Sequence, residues 1–225
     1  MLLEARKILF NELKKMEFQK VFVKKNTVLL NQDEIMKNIY ILLYGNFKLT
    51  HTSEDAKSFT LGYYSNYGIL IPDLLNGESS LISLFKVETI ENSMFGVIPV
   101  SKLDLNDKLK LELMEYYHIV SQKIYLQMRD LLFNNKLNAL ISILIRLSNS
   151  YGLKVNNEIK IDIKLSNKDL AEYIGSSTET VSRIMSKLKK ENILYCKEKY
   201  IFIKNIKHLK KVMNCEHCNQ KLCVF

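Results

Sequence analysis

Residues 166–190 constrain this chain more than any other stretch: "SNKDLAEYIG", which ends in glycine, runs straight into "SSTETVSRIMSKLKK". Ser166 can cap the first segment, with Asp169 at the capping-box position. Leu170, Ala171 and Ile174 form its inner face, and Gly175 marks a turn. On a 3.6-residue period, Val181, Ile184, Met185 and Leu188 of the second segment share one face. Glu179, Ser182, Arg183 and Ser186 share the opposite face. Upstream, "EIKIDIKL" alternates isoleucine with polar residues as a strand does. Downstream, "ILYC" and "YIFIK" flank the charged tip "KEK" as a hairpin. Strand, helix, turn, helix, hairpin is the order of a winged helix-turn-helix.

The outward face of the second helix has the chemistry of base reading. In a helix-turn-helix, the first turns of the second helix enter the major groove. An arginine donates two hydrogen bonds to guanine O6 and N7, and a carboxylate accepts from cytosine N4. An acidic group among phosphates is costly unless it reads such a donor, which gives Glu179 and Arg183 a joint purpose. Ser177 or Thr178 suits a phosphate or a thymine methyl, and Lys187, Lys189 and Lys190 suit phosphates, which position without specifying. A second role stays open for Glu179, because Ser176 and Glu179 also have the spacing of a capping box. Charge supports nucleic acid as partner: between Ser166 and Lys211 stand eleven basic and five acidic residues, a net +6 of the chain's +9.

The remainder of the chain divides in two. Residues 18 to about 100 hold short runs rich in Val, Ile, Leu, Phe and Tyr ("FQKVFVKK", "NTVLL", "NIYILL", "NFKLTH", "SFTLGYY"), separated by turn signals. They predict a β-sandwich or barrel behind a short amphipathic helix over 1–16. Residues 104–150 contain neither Gly nor Pro and predict helix, ending at a C-terminal cap near Gly152. Within it Leu113, Tyr117, Val120, Ile124, Gln127 and Leu131 recur at alternating spacings of four and three, a seam suited to a dimer or, alternatively, to packing of the helix on its own β-domain. "MLLEARKILF" lacks the apolar core of a signal peptide, and no apolar run reaches membrane-spanning length, so a soluble cytoplasmic protein without a membrane partner is expected. No nucleophile–base pair, phosphate loop or zincin motif appears, and an enzyme is not expected.

"ETVSR" following "LAEYIG" resembles the recognition-helix motif of the CRP/FNR superfamily of bacterial transcription regulators. "LGYYSNYG", "VSRIMSKLKKE" and "YIFIKNIKHLKK" are closer in flavour to its PrfA branch. The resemblance implies an α+β chain with an N-terminal β-roll sensor, a jelly roll of the cyclic-nucleotide-binding type, over 1–103. A long dimerisation helix over 104–134 and a winged helix-turn-helix over 135–225 would follow. It implies a homodimer on pseudo-palindromic double-stranded DNA, with RNA polymerase as a further partner. Glu179, Ser182 and Arg183 fall on the base-reading positions of FNR-type proteins, and a threonine stands before Glu179 where CRP-type proteins carry arginine. A TTGA-like half-site is therefore expected.

The same resemblance frames the effector. Cyclic-nucleotide binders need a glutamate for the ribose and an arginine for the phosphate. Here Leu70 and Ser80 align with them, no arginine lies between Arg6 and Arg129, and a response to cAMP is not expected. FNR-type iron–sulfur sensing uses cysteines near the N-terminus, whereas no cysteine precedes Cys196. His51 and His118 are available as haem ligands but read as surface or seam residues. The PrfA branch implies a small peptide or thiol such as glutathione, held through Tyr63, Tyr64 and Lys123. The tail "CEHCNQKLC" offers Cys215, Cys218 and Cys223 with His217 between them. C-x2-C is a metal or redox spacing, with Cys196 or His217 able to complete four ligands; the alternative is reduced, incidental thiols. No cofactor and no metal ligand are assigned. The rival function is a β-roll ligand-binding protein that senses redox state or metal through this tail.

Overall fold

Leu2, Ala5, Leu9, Phe10 and Leu13 recur at helical spacing and are the buried side of α1 (Leu2–Lys14). The computed structural model that shows this describes residues 2–55, 57–65, 67–72, 74, 82–103, 106–215 and 222–224. The chain forms two compact units, Met1–Ile119 and Val120–Phe225, which divide inside a single long helix.

In the first unit the β-rich runs become β1 (Gln19–Val23), β2 (Val28–Leu30), β3 (Asn38–Tyr44), β4 (Phe47–Thr52), β5 (Ser58–Tyr64), β6 (Ile69–Leu70), β7 (Lys86–Thr89) and β8 (Ser93–Pro99). They pair antiparallel in two four-stranded sheets, ordered β1-β8-β3-β6 and β2-β7-β4-β5. Alternation turns Leu42, Phe47, Leu49, Val87 and Phe95 into one buried cluster, with the Phe47 and Phe95 rings 5.8 Å apart.

α2 (Asp107–Phe133) then leads to α3 (Lys136–Tyr151), whose residues Ala139 to Ser148 are all buried. Gly152 is the C-terminal cap of α3, as expected, but with extended backbone, φ −77° and ψ 122°, and it also begins a strand. Glycine is still required there, since a Cβ would collide with the Ser148 carbonyl oxygen. β9 (Gly152–Val155), β10 (Glu158–Ile161), β11 (Leu194–Lys197) and β12 (Tyr200–Ile203) form one antiparallel sheet, ordered β11-β12-β10-β9. β9 was not expected from the sequence. Its turn to β10 uses Asn156 and Asn157 at φ 46° and 66°, the positive values a two-residue hairpin needs. Between β10 and β11 lie α4 (Asn167–Ile174) and α5 (Thr178–Lys190), and α6 (Ile206–Val212) follows β12. Among the described residues no helix is long and apolar enough to cross a membrane.

Candidate nucleic-acid interface

The turn between α4 and α5 is specified by local hydrogen bonds. Ser166 and Asp169 form the full capping box, with Asp169 N donating to Ser166 Oγ at 3.2 Å and Ser166 N to Asp169 Oδ2 at 2.7 Å. Gly175 stops α4 at φ +55°, a left-handed conformation that glycine adopts without a Cβ penalty. The amides of Gly175 and Ser176 both return to the Ala171 carbonyl. Lys136 Nζ, arriving from α3, donates to the last carbonyls, Ile174 O at 2.9 Å and Gly175 O at 3.1 Å. Ser177 caps α5 and accepts from Thr180 N at 3.2 Å. The cap thus sits one residue later than the Ser176–Glu179 spacing suggested. Glu179 nevertheless engages locally: its own backbone N–H, and then the Ser177 hydroxyl, hold its carboxyl below the usual range.

Val181, Met185 and Leu188 are buried and Ile184 half-buried, so the expected core face of α5 is its inner face. Each fully buried aliphatic side chain contributes about 1.5–3 kcal/mol, against about 1 kcal/mol for an exposed hydrogen bond, so this stripe sets the helix's rotation. That rotation leaves Ser177, Thr178, Glu179, Arg183, Ser186 and Lys187 exposed and Ser182 half-buried, all on the first turns of one helix. Lys187 lies 3.9 Å from Glu191, an exposed pair too weak to withdraw it from a phosphate. Beyond α5 the hairpin of β11 and β12 turns at Glu198 and Lys199, with Lys160 and Lys164 packed over the Tyr200 ring at 3.9 and 5.3 Å.

On α2 the sequence stripe needs correcting. Leu113 is buried, and the half-buried Tyr117 donates to Pro72 O at 2.9 Å; of the six expected seam residues only Ile124 is exposed. The exposed stripe is Leu111, Met114, His118, Ser121, Tyr125, Met128 and Leu132. It keeps the same alternation of three and four but lies one residue later, about 100° round the helix.

The effector candidates divide between the units. In the first, Tyr63 is buried; Tyr64 stacks on Phe47 at 5.0 Å, and burial with the neighbouring Tyr116 pushes its phenol up to about 12, against the opposing pull of Arg6. Arg6 from α1 is buried with its guanidinium 5.1 Å over the Tyr64 ring. The first unit therefore does contain a buried arginine, supplied from outside the strands. Its signal was its place on the apolar stripe of α1 between Ala5 and Leu9. Lys123 is buried on the part of α2 that belongs to the second unit. His51 bonds Leu84 O at 3.0 Å, and Leu70 is part of the core.

A second cluster went unread in the sequence. Asp130 in the last turns of α2 accepts from Arg146 Nη2 at 2.8 Å, Ser142 Oγ at 2.6 Å and Arg129 Nη2 at 2.8 Å. Burial alone would raise its carboxyl, but these donors outweigh it and hold Asp130 below the usual range. Arg146 Nη1 also holds Leu222 O at 3.3 Å, and Asn149 Nδ2 holds Cys223 O at 2.7 Å, so the tail docks on α3. Cys215 and Cys223 line one cavity with Asp130, Arg129 and Arg146. Cys196 is exposed on β11, while His217, Cys218 and Ser80 lie outside the described residues.

Residues 138–212 match the profile of the Crp-like helix-turn-helix domain. The chain is 29% identical over 211 residues to the "Anaerobic regulatory protein" of Bacillus subtilis, covering 89% of this chain and 86% of that protein. It is 26% identical over 197 residues to the "Listeriolysin regulatory protein" of Listeria monocytogenes, covering 83% and 81%. Among solved structures, FixK2 from Bradyrhizobium japonicum superposes with a TM-score of 0.74 at 17% identity, over 87% of this chain and 97% of that one. The same β-domain, long helix and helix-turn-helix domain recur in it.

Proposed function

We propose, from the match of residues 138–212 to the Crp-like helix-turn-helix domain and the likeness to the Bacillus subtilis and Listeria monocytogenes regulators, that this chain is a CRP/FNR-type transcription regulator that acts as a homodimer reading a pseudo-palindromic, TTGA-like site. The observation that carries this reading is the exposure of Glu179, Arg183 and the half-exposed Ser182 on the first turns of α5 above a buried Val181, Met185 and Leu188. Arg183 takes guanine O6 and N7, Glu179 accepts from the paired cytosine N4, and Lys187 neutralises a phosphate. The exposed stripe from Leu111 to Leu132 supports pairing through α2, which sets two recognition helices about one turn of DNA apart. We assign residues 104–134, which contain α2, to dimerisation, 1–103 to sensing and 135–225 to DNA, with RNA polymerase as the downstream partner. Selection of binding sites from random DNA is expected to return paired half-sites, each with one G·C pair. Half-sites without any G·C pair would overturn the assignment of Glu179 and Arg183.

A second reading concerns the signal. The meeting of Cys215 and Cys223 at one cavity with Asp130 supports sensing of metal or redox state through the tail. Cys215, Cys218 and Cys223 would hold the group, and Asp130 lines the same cavity as Cys215 and Cys223; soft thiolates select zinc or an iron–sulfur centre. Such a group would supply a charge that changes with oxidation or metal supply. The relative named for anaerobic regulation favours the redox form. Metal and sulfide analysis of untagged protein purified without oxygen, with and without Cys215→Ser, decides it: absence of both metal and sulfide removes this reading. Titration with reduced glutathione tests the competing effector site at Tyr63, Tyr64 and Lys123, where no heat and no change in DNA affinity would exclude it.

A further inference from the structure

We propose that Lys136 is a positioning residue for DNA reading, fixing the turn that aims the recognition helix; this rests on the DNA-binding function above. Lys136 is the first residue of α3, directly after the corner where α2 ends. That is an unfavourable place for a cation, since the first turn of a helix carries partial positive charge. The side chain leaves its own helix and reaches the end of another. Its ammonium meets Ile174 O at 2.9 Å and Gly175 O at 3.1 Å, where the partial charge is negative and the carbonyls have no helical partner. The Ala171 carbonyl already takes the Gly175 and Ser176 amides. Lys136 therefore completes the cap of α4 at Gly175, two residues ahead of Ser177, the N-cap of α5.

The clamp acts on direction rather than on affinity for phosphate. Gly175 has no side chain to restrain the turn, so the direction of α5 against α4 rests on the buried stripe, on the amides bound to the Ala171 carbonyl and on this tie. An arginine can make both bonds; a methionine can make neither.

The test uses the full-length protein with Lys136→Met and Lys136→Arg, measuring affinity for a selected site and for random DNA across a salt series. Lys136→Met is expected to lower the ratio of specific to random binding by roughly three- to ten-fold, about the weight of one charge-assisted hydrogen bond at a partly exposed place. The salt slope stays unchanged, and Lys136→Arg restores the ratio. An equal loss on both DNAs, with a slope smaller by about one, would make Lys136 a phosphate contact and overturn the proposal. In the DNA-free protein, the Gly175, Ser176 and Thr180 amides should exchange faster in Lys136→Met than in wild type; equal exchange also overturns it. That measurement needs no DNA, so it separates failure of the clamp from failure of the DNA reading. Should Lys136→Met not fold, Lys136→Gln, polar and uncharged, carries the same comparison.

Discussion

At the scale of single residues, the proposed reading gives the outward face of α5 groups with different duties. In it Arg183 would carry the information, because a bidentate donor distinguishes guanine at both of its acceptors, and Lys187 would supply charge without direction. Glu179 is divided: in the free chain its carboxyl is held by its own N–H and by Ser177, and it must exchange these bonds to accept from a cytosine. These duties separate in one set of binding isotherms. Arg183→Ala should lose about 1–3 kcal/mol per half-site on the selected sequence and almost nothing on random DNA. Lys187→Ala should weaken both alike and reduce the salt slope by about one. Glu179→Ala should relax the preference at the G·C pair; a uniform loss over all base pairs would reduce Glu179 to a helix cap. The exposure of these residues was legible because the inner stripe of one amphipathic helix fixes its outer face.

At the scale of elements, legibility ended where one helix serves two neighbours. α2 carries two parallel stripes with the same spacing, one containing Leu113 and the other Met114, and periodicity alone does not rank them. Burial does: the stripe with Leu113 faces inward and the one with Met114 faces out. The strand β9 was not legible although "VNNE" carries a hairpin signal, because Gly152 both caps α3 and opens the strand, leaving no loop between them. The exposed stripe leads to a contrast between two substitutions. Met128→Glu should weaken dimerisation roughly 100-fold or more, the ~3 kcal/mol of opposed, desolvated charges, while leaving the fold intact. Leu113→Glu should destabilise the first unit itself, since that residue is 1% exposed. Sedimentation at graded concentrations with circular dichroism distinguishes the two outcomes. A Met128→Glu protein that remains dimeric would move the interface off this stripe.

At the scale of the whole molecule, what the sequence could not disclose is long-range pairing. Individual strands and the helix-turn-helix follow from local periodicity and turns, whereas the sheet order, with β1 beside β8 and β2 beside β7, does not. The Asp130 cluster likewise joins the last turns of α2 to the middle of α3 and to Leu222 and Cys223, residues that no spacing rule connects. Arg146 and the Asp130 side chain are both nearly inaccessible to water, at 3% and 9% exposure, so neither charge is supported by solvent. Removing one partner leaves the other stranded: Asp130→Asn should destabilise the second unit by about 3–5 kcal/mol at neutral pH. The pH dependence follows from the direction of the shift. Because folding lowers the Asp130 carboxyl, its contribution is complete above the ordinary carboxylate range, about pH 4–5, and disappears as pH falls through the depressed folded value. Wild type and Asp130→Asn should therefore differ most at neutral pH and converge in acid, when urea unfolding is followed through the amides of α3. The tail should leave its dock in the same range, exposing the 222–224 backbone to proteases. Curves that stay parallel down to strongly acidic pH would mean that Arg146 is held by the tail carbonyls without help from Asp130, and that the tail rather than α2 is its principal partner.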